Sequence, residues 1–217
     1  MNLEQARENM IEQQIRTWEV LDPRVLTVLQ DTPRELFVPP RYKNQAFADL
    51  EVPLDHGQNM MAPKVEGRML QALDVQPSDV CLEIGTGSGY TAACLARLGA
   101  KVHSVDLFED FKHAAIARLR QLDINNVDLR TGDAVQGWSQ QPRYDVIAVT
   151  GSIPEYRDVF ERSLTIGGRL FIVVGTPPVM EAMLVTRMRE EDFARIKLFE
   201  TELKPLIGAE RPQRFVL

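Results

Sequence analysis

Apolar and polar residues follow a helical spacing at the start of the chain and a strand spacing further on. Apolar residues at three- and four-residue intervals predict one amphipathic helix near the N-terminus: Leu3, Ala6, Met10, Ile11, Ile15 and Trp18. Two more helices are predicted where proline occupies the first helical position, after Asp22 and after Ala62. The first part of the chain is therefore expected to be helical.

Five strand-like runs then follow one another, and the fourth has the apolar, β-branched character of a strand that is buried on both faces: 80–84, 102–105, 127–130, 144–150 and 167–174. Helices are predicted between them near 89–98, 108–122 and 155–163. This alternation predicts an α/β fold with a doubly wound, mostly parallel sheet. The tail departs from it, since 182–189 and 193–203 are predicted to form an antiparallel closing hairpin. We therefore expect a helical N-terminal extension with a substrate-side loop at 1–77 and a sheet domain at 78–217.

The most informative stretch is the turn after the first strand, which carries glycines at 85, 87 and 89. Glycines let a backbone approach a ligand closely, and the helix start behind them offers free N–H groups to an anion. A dinucleotide fingerprint would need glycine where Tyr90 stands. The spacing here is G-x-G-x-G, with Glu83 two residues before the first glycine. The alternative is a turn that serves only as a tight connection.

Polar residues stand at the ends of the next strands in the order that a nucleotide site requires. Asp106 ends the second strand, where an acid can accept both ribose hydroxyls, although it can also cap the helix that follows. Asp133 follows the third strand, where the alternative is a plain turn. Ligands of open α/β sheets bind at the carboxyl ends of strands. Together these positions favour a nucleotide-like ligand.

Three segments resemble known sequence signatures. The run Leu82-Glu83-Ile84-Gly85-Thr86-Gly87-Ser88-Gly89-Tyr90 resembles motif I of class I S-adenosyl-L-methionine (SAM) methyltransferases. Thr32-Pro33-Arg34-Glu35-Leu36-Phe37-Val38-Pro39 is similar to a signature of the protein-L-isoaspartate O-methyltransferase family, and Tyr144-Asp145-Val146-Ile147 resembles that family's fourth strand. The likeness runs from about residue 8 to the end of the chain. It implies a class I methyltransferase (Rossmann-like) fold with SAM as cofactor.

The resemblance also implies a site and a reaction. Its cofactor-binding positions correspond to Glu83, Gly85, Thr86, Gly87, Ser88, Asp106, Leu107, Asp133, Ala134 and Thr150. Asp106 would bind the ribose and Asp133 the adenine amino group. The family methylates the α-carboxylate of L-isoaspartyl residues in damaged proteins, and the ester then cyclises unaided to a succinimide. A carboxylate is already ionised at neutral pH, so the chemistry depends on positioning and no catalytic residue is assigned.

The acceptor loop is where the resemblance fails. The family's Gly-x-Gly-Gln-Thr-Ile-Ser-x-Pro loop corresponds to 55–63, which makes the substrate-loop candidates His56, Gly57, Gln58, Asn59 and Met61. Asn59-Met60-Met61 replaces Thr-Ile-Ser, so the serine hydroxyl beside the substrate carboxylate is absent. Asp55 replaces the first glycine, and 202–206 replaces Arg-Phe-Val-Pro-Leu with only Pro-Leu retained.

These departures leave alternatives open. Asn59 can donate from its amide beside a soft methionine wall, or the methionines can simply pack under the N-terminal helices. His56 can be a base for a protonated nucleophile or a loop residue with no catalytic duty. Besides an isoaspartyl methyltransferase, the sequence therefore permits a SAM methyltransferase with a different acceptor, or a SAM-binding module without catalysis.

Composition narrows the classes of partner. The 217 residues carry a net charge of −6, which argues against a broad electrostatic grip on nucleic acid. No apolar span suits a bilayer and the N-terminus is not a signal peptide, so no membrane partner and a cytoplasmic location are expected. Cys81 and Cys94 are expected to be buried thiols, and without clustered Cys and His no metal is expected. The expected partner is an isoaspartyl protein or peptide; the oligomeric state is not predicted.

Overall fold

The computed structural model describes residues 2–138 and 143–209, and it is built around one large sheet. The strands are β1 Val52–Pro53, β2 Asn59–Met60, β3 Val80–Ile84, β4 Lys101–Asp106, β5 Val127–Thr131, β6 Tyr144–Ile153, β7 Leu164–Thr176, β8 Val179–Arg189 and β9 Asp192–Glu200. The α-helices are α1 Leu3–Met10, α2 Pro23–Asp31, α3 Pro63–Leu73, α4 Tyr90–Leu98 and α5 Glu109–Gln121. Short 3-10 turns lie at Arg34–Leu36, Pro40–Gln45, Asp55–Gly57 and Glu161–Ser163.

The predicted sheet is confirmed. Its strand order is β5-β4-β3-β6-β7-β8-β9, and the first five strands in that order pair in parallel. β8 runs antiparallel to β7, and β9 antiparallel to β8, which is the predicted closing hairpin. From β3 the chain adds strands first on one side of the sheet (β4, β5) and then on the other (β6, β7), and this switch between β3 and β6 opens a crevice at their carboxyl ends, where open α/β sheets bind ligands.

Apolar side chains cover both faces of the sheet. Along β6, Val146 and Ala148 belong to one buried cluster and Ile147 and Val149 to the other, as expected for a strand whose side chains alternate. The first cluster also contains the apolar faces of α1 to α4, so the N-terminal region packs directly on the sheet. Over the described ranges, no helix has the length and apolar character needed to cross a membrane.

The N-terminal helix is present but irregular. α1 is capped by the side chain of Asn2, and it continues as a π-helical turn over Ile11–Ile15 and a 3-10 turn over Arg16–Trp18. The predicted starts of the next two helices are confirmed: the Asp22 carboxylate caps α2 by accepting from the Arg24 amide at 2.8 Å, and α3 begins at Pro63.

The prediction of a helix near 155–163 is wrong. β6 continues to Ile153, and only Glu161–Ser163 is helical, as one 3-10 turn. Tertiary contacts fix this segment instead. The buried Glu161 carboxylate accepts a hydrogen bond from the Tyr156 hydroxyl. It also accepts two hydrogen bonds from the guanidinium of Arg195 on β9, at 2.5 and 3.0 Å. Burial of such a charge requires these partners, and their positions override local helix propensity.

Candidate functional site

An open cleft of about 770 Å³ lies at the carboxyl ends of β3, β4 and β6. Its lining residues are Glu51, Leu54, Gln58, Asn59, Met61, Ile84, Gly85, Gly87, Val105, Asp106, Leu107, Phe108, Phe111, Gly132, Asp133, Ala134, Val135, Thr150, Gly151, Leu203, Lys204, Pro205, Leu206 and Ile207. A smaller pocket of about 280 Å³ adjoins it, and both Thr86 and Ser88 line that pocket. Apolar walls interrupted by a few convergent polar groups are typical of small-molecule sites.

The glycine turn forms the floor of the cleft. Gly85, Gly87 and Gly89 all have positive φ, which residues with a Cβ adopt only with strain. A Cβ on Gly85 would lie 2.3 Å from the Thr150 hydroxyl oxygen. That hydroxyl bonds to the backbone carbonyls of Ile84 and Gly85, at 2.9 and 2.7 Å. The turn therefore keeps this path only with glycine at these positions, and Gly85 and Gly87 present bare backbone to the cleft.

Asp106 lies directly beside the turn and lines the cleft. One carboxylate oxygen accepts from the Gly87 amide at 2.8 Å and the other from the Phe108 amide at 3.0 Å. Burial raises the pKa of Asp106, while the backbone amides of Gly87 and Phe108 oppose that rise. The side chain thus lines the cleft and bonds to the turn, but it does not cap the helix that follows, because the N-cap residue of α5 is Phe108 and no side-chain hydrogen bond caps that helix.

The other predicted cofactor positions divide into two groups. Leu107, Asp133, Ala134 and Thr150 line the main cleft, and the Asp133 carboxylate accepts from the Val135 amide at 2.9 Å. Glu83 instead lies fully buried under the turn, outside both sets of lining residues. Its carboxylate accepts from the Ser104 hydroxyl, which also bonds to the Thr86 hydroxyl at 2.6 Å. This row of hydrogen bonds from Glu83 through Ser104 to Thr86 supports the turn from below, so the structure gives Glu83 a positioning role.

The buried position of Glu83 changes its protonation. Burial raises the pKa of Glu83 to about 8, with the nearby negative charge of Asp106 adding to the shift and the Ser104 bond opposing it. Near neutral pH the folded protein therefore holds a proton on this carboxyl group that an unfolded chain releases.

Replacing Glu83 with glutamine is expected to remove a loss of stability at rising pH. Because the pKa is 4.5 for an ordinary glutamate and about 8 in the fold, the Glu83 contribution falls as pH rises between these values. Glu83→Gln should therefore gain stability relative to wild type between pH 5 and pH 8, as measured by urea unfolding without ligand. Glu12→Gln, at an exposed glutamate, is the control. Parallel pH curves for wild type and Glu83→Gln would contradict the assignment.

The acceptor loop covers one side of the cleft. Val52–Pro53 and Asn59–Met60 pair as a small antiparallel ladder, which the sequence did not predict. Gln58, Asn59 and Met61 line the cleft, and the Asn59 amide donates to the Glu51 carboxylate. The methionines at 60 and 61 are also buried in the apolar core that contains the N-terminal helices. Met61 therefore lines the cleft and packs in the core below the N-terminal helices, two positions that the sequence left as alternatives.

His56 and Gly57 lie outside the described lining of the cleft. The His56 ring stacks on Phe108, with 3.8 Å between ring centroids, and its Nε2 is 2.8 Å from the Asp110 carboxylate. These contacts fasten the loop to the start of α5, which gives His56 an anchoring role. The Asp55 side chain also lies outside the cleft: it is 70% exposed, and its carboxylate is 3.5 Å from the Arg41 guanidinium. Its charge therefore does not line the cleft.

Residues 203–207 form a further wall of the cleft, and the predicted site did not include them. Ser152 holds this segment: its amide donates to the Lys204 carbonyl at 2.9 Å, its hydroxyl to the Leu203 carbonyl at 2.8 Å, and its carbonyl accepts from Leu206. The retained Pro-Leu pair at 205 and 206 was the available sequence signal. Only the fold brings this segment opposite the acceptor loop.

Solved structures share this architecture. A crystal structure of a Plasmodium falciparum protein assigned to the protein-L-isoaspartate O-methyltransferases, in complex with S-adenosyl-L-homocysteine, matches with a TM-score of 0.80. It is 18% identical and covers 95% of this chain and 98% of its own. This likeness, together with the strand order and the glycine turn, defines a class I SAM-dependent methyltransferase fold.

Sequence comparison then gives the family. The family model for protein-L-isoaspartate(D-aspartate) O-methyltransferase matches residues 5–210. Protein-L-isoaspartate O-methyltransferase 2 of Pelobacter propionicus is 39% identical over 96% of this chain and 93% of its own length. The Rhodopseudomonas palustris enzyme is 38% identical over 93% of each chain. The chain belongs to the protein-L-isoaspartate O-methyltransferase family, whose members use SAM as the methyl donor.

Proposed function

We propose that this protein transfers a methyl group from SAM to the free carboxylate of L-isoaspartyl residues in damaged proteins. The observation that carries the proposal is the joining of two features in one cleft. The glycine turn and Asp106 form one side, and the family's acceptor loop and the 203–207 segment form the other. Expected partners are proteins or peptides that contain an isoaspartyl residue.

The described residues fit SAM by their chemistry. We assign the ribose hydroxyls to Asp106, because a carboxylate accepts two hydrogen bonds from a diol. We assign the adenine amino group to Asp133, and the adenine ring to the apolar side chains of Leu107 and Ala134. The glycine turn, with Thr150 behind it, receives the polar end of the cofactor. When bound, SAM would supply an electrophilic methyl carbon attached to a positively charged sulfur; as an oxygen nucleophile bonds to that carbon, the carbon–sulfur bond would break and the sulfur would leave as a neutral thioether.

The protein's contribution is then desolvation and alignment. The acceptor carboxylate needs no base, since it is ionised at neutral pH. Leu54, Met61 and Phe108 give the cleft apolar walls that exclude water around it. Anchoring of the loop through His56 and of the opposite wall through Ser152 fixes the distance between nucleophile and donor.

We also propose the cytoplasm as the place of action. The thiols of Cys81 and Cys94 are both free and buried, as suits a reducing compartment.

Transfer of radiolabelled methyl from SAM to a synthetic isoaspartyl peptide tests the proposal. The matched control is the same peptide with a normal aspartyl linkage, which should receive no label. Base-labile label on the isoaspartyl peptide alone is the expected result, because the product is a methyl ester. SAM binding by calorimetry without transfer to that peptide would contradict the proposed acceptor.

A further inference from the structure

The charges that line the cleft do not suit an anionic acceptor, with one exception. Among the described lining residues, Glu51, Asp106 and Asp133 carry negative charge and only Lys204 carries positive charge. A carboxylate that enters this cleft meets repulsion from like charges unless a cation is near its path. Lys204 is the one such group that the described lining supplies.

The backbone of Lys204 is fixed, while its ammonium group remains exposed at the cleft. Ser152 donates to the Lys204 carbonyl at 2.9 Å, and the residue lies in the segment that Ser152 also holds at Leu203. The ammonium group donates to the Gly57 carbonyl of the acceptor loop. An ammonium has three N–H donors, so two remain for a ligand between the loop and the segment.

Lys204 also stands where the family pattern differs. The motif Arg-Phe-Val-Pro-Leu, laid on 202–206, has valine at the position of Lys204, and Thr-Ile-Ser has serine at the position of Met61. The chain has therefore lost a hydroxyl on the acceptor loop and gained an ammonium on the wall that touches the same loop. Asn59 does not replace that charge, since its amide donates to Glu51.

We propose that Lys204 binds the acceptor carboxylate in this protein and sets its preference for an anionic substrate, an inference that rests on the proposed isoaspartyl activity. The ammonium group takes the place of the missing serine hydroxyl as the hydrogen-bond donor to the carboxylate. It keeps its bond to Gly57 while it does so, which links acceptor binding to the position of the loop.

Lys204→Met removes the charge and the donor, and Lys204→Gln keeps a neutral donor for the Gly57 carbonyl. We expect both to raise the KM for an isoaspartyl peptide by about tenfold, the loss typical of a hydrogen bond to a charged group. The SAM dissociation constant, measured by calorimetry, should stay within about twofold. Lys204→Arg should restore most of the affinity because it restores the charge. The control with the same net charge is Lys101→Met, at an exposed lysine that begins β4 at the amino end of the strand, away from the cleft.

Salt provides a second readout. The wild-type KM should rise with ionic strength more steeply than the KM of Lys204→Gln, because salt screens an exposed charge pair. A structural role would behave differently: Lys204→Gln would recover wild-type KM, and Lys204→Met would weaken SAM binding through the loosened loop. Either of these results, or an unchanged KM in Lys204→Met, overturns the inference. Wild-type protein that transfers no methyl to the peptide overturns the proposed function, and the inference with it.

Discussion

Replacing Asp106 with alanine is expected to weaken SAM binding by about tenfold to a hundredfold, the range for a lost hydrogen-bonded charge. The carboxylate lines the cleft and also holds the amides of Gly87 and Phe108. Its removal therefore takes away the acceptor that we propose for the ribose and leaves the glycine turn without one of its supports. Calorimetric titrations with SAM and with S-adenosyl-L-homocysteine should show a similar loss of affinity for the two ligands, since both carry the same ribose.

Two further variants make the Asp106 result specific. Asp31→Ala changes an exposed aspartate at the end of α2, away from the cleft, and should leave the affinity unchanged. Asp106→Asn keeps one acceptor oxygen and should lie between wild type and alanine. Equal SAM affinity for wild type and Asp106→Ala, with both proteins folded, would mean that the ribose binds elsewhere.

Much of the fold could be predicted because its signals are local. The strand at 80–84 is apolar except for Glu83, glycines follow it at once, and the next helix starts at Tyr90. Proline at the first helical position marked α2 and α3 in the same way. Each signal lies within a few residues of the element that it specifies, so one sequence suffices.

The failures arise where distant residues decide the structure. The segment near 155–163 has apolar residues at helical spacing, but Arg195 of β9 binds Glu161 and fixes a different path. The short ladder of β1 with β2 contains two residues per strand, too few to show a period. Neither the Arg195–Glu161 contact nor the β1–β2 pairing can be predicted from the pattern of neighbouring residues in the sequence.

The candidate site divides in the same way. The predicted positions on its cofactor side, Gly85, Asp106 and Asp133, each lie at or just after the end of a predicted strand, so the strand pattern brings them to one edge of the sheet. Its acceptor side needs Glu51, Asn59 and Lys204 from separate parts of the chain, and only the fold brings them to one cleft. His56 shows the converse, because a histidine next to the acceptor residues in sequence is held against Phe108 and Asp110 instead.

The second large effect is expected from the buried ion pair under the acceptor loop. Arg34 and Glu66 are 1% and 2% exposed and are paired directly. Arg34 also donates to the carbonyls of Ala46 at 2.8 Å and Met61 at 2.6 Å, and its guanidinium lies 4.9 Å from the centre of the Tyr90 ring. One arginine thus ties the signature segment, α3 and the acceptor loop together.

Glu66→Leu should lower the free energy of unfolding by about 3–5 kcal/mol, because it leaves a guanidinium buried without its counter-charge. Arg34→Met should cost less. Burial raises the pKa of Glu66 even beside Arg34, so the lone glutamate can take up a proton, whereas arginine cannot lose one. The cost of Arg34→Met should also shrink at low pH, where that proton is already bound. Urea unfolding at pH 5 and pH 8 measures these differences.

The double variant Arg34→Met with Glu66→Leu isolates the charge from the packing. With both ions removed, no charge is left unpaired, so most of the stability lost in Glu66→Leu should return. The double variant still lacks the bonds to the carbonyls of Ala46 and of Met61 in the acceptor loop, so its stability should recover further than its methyl-transfer rate. Arg16→Met breaks an exposed pair with Glu12 and should cost no more than about 1 kcal/mol. A double variant as unstable as Glu66→Leu would show that packing around these side chains, and not their charge, holds the loop in place.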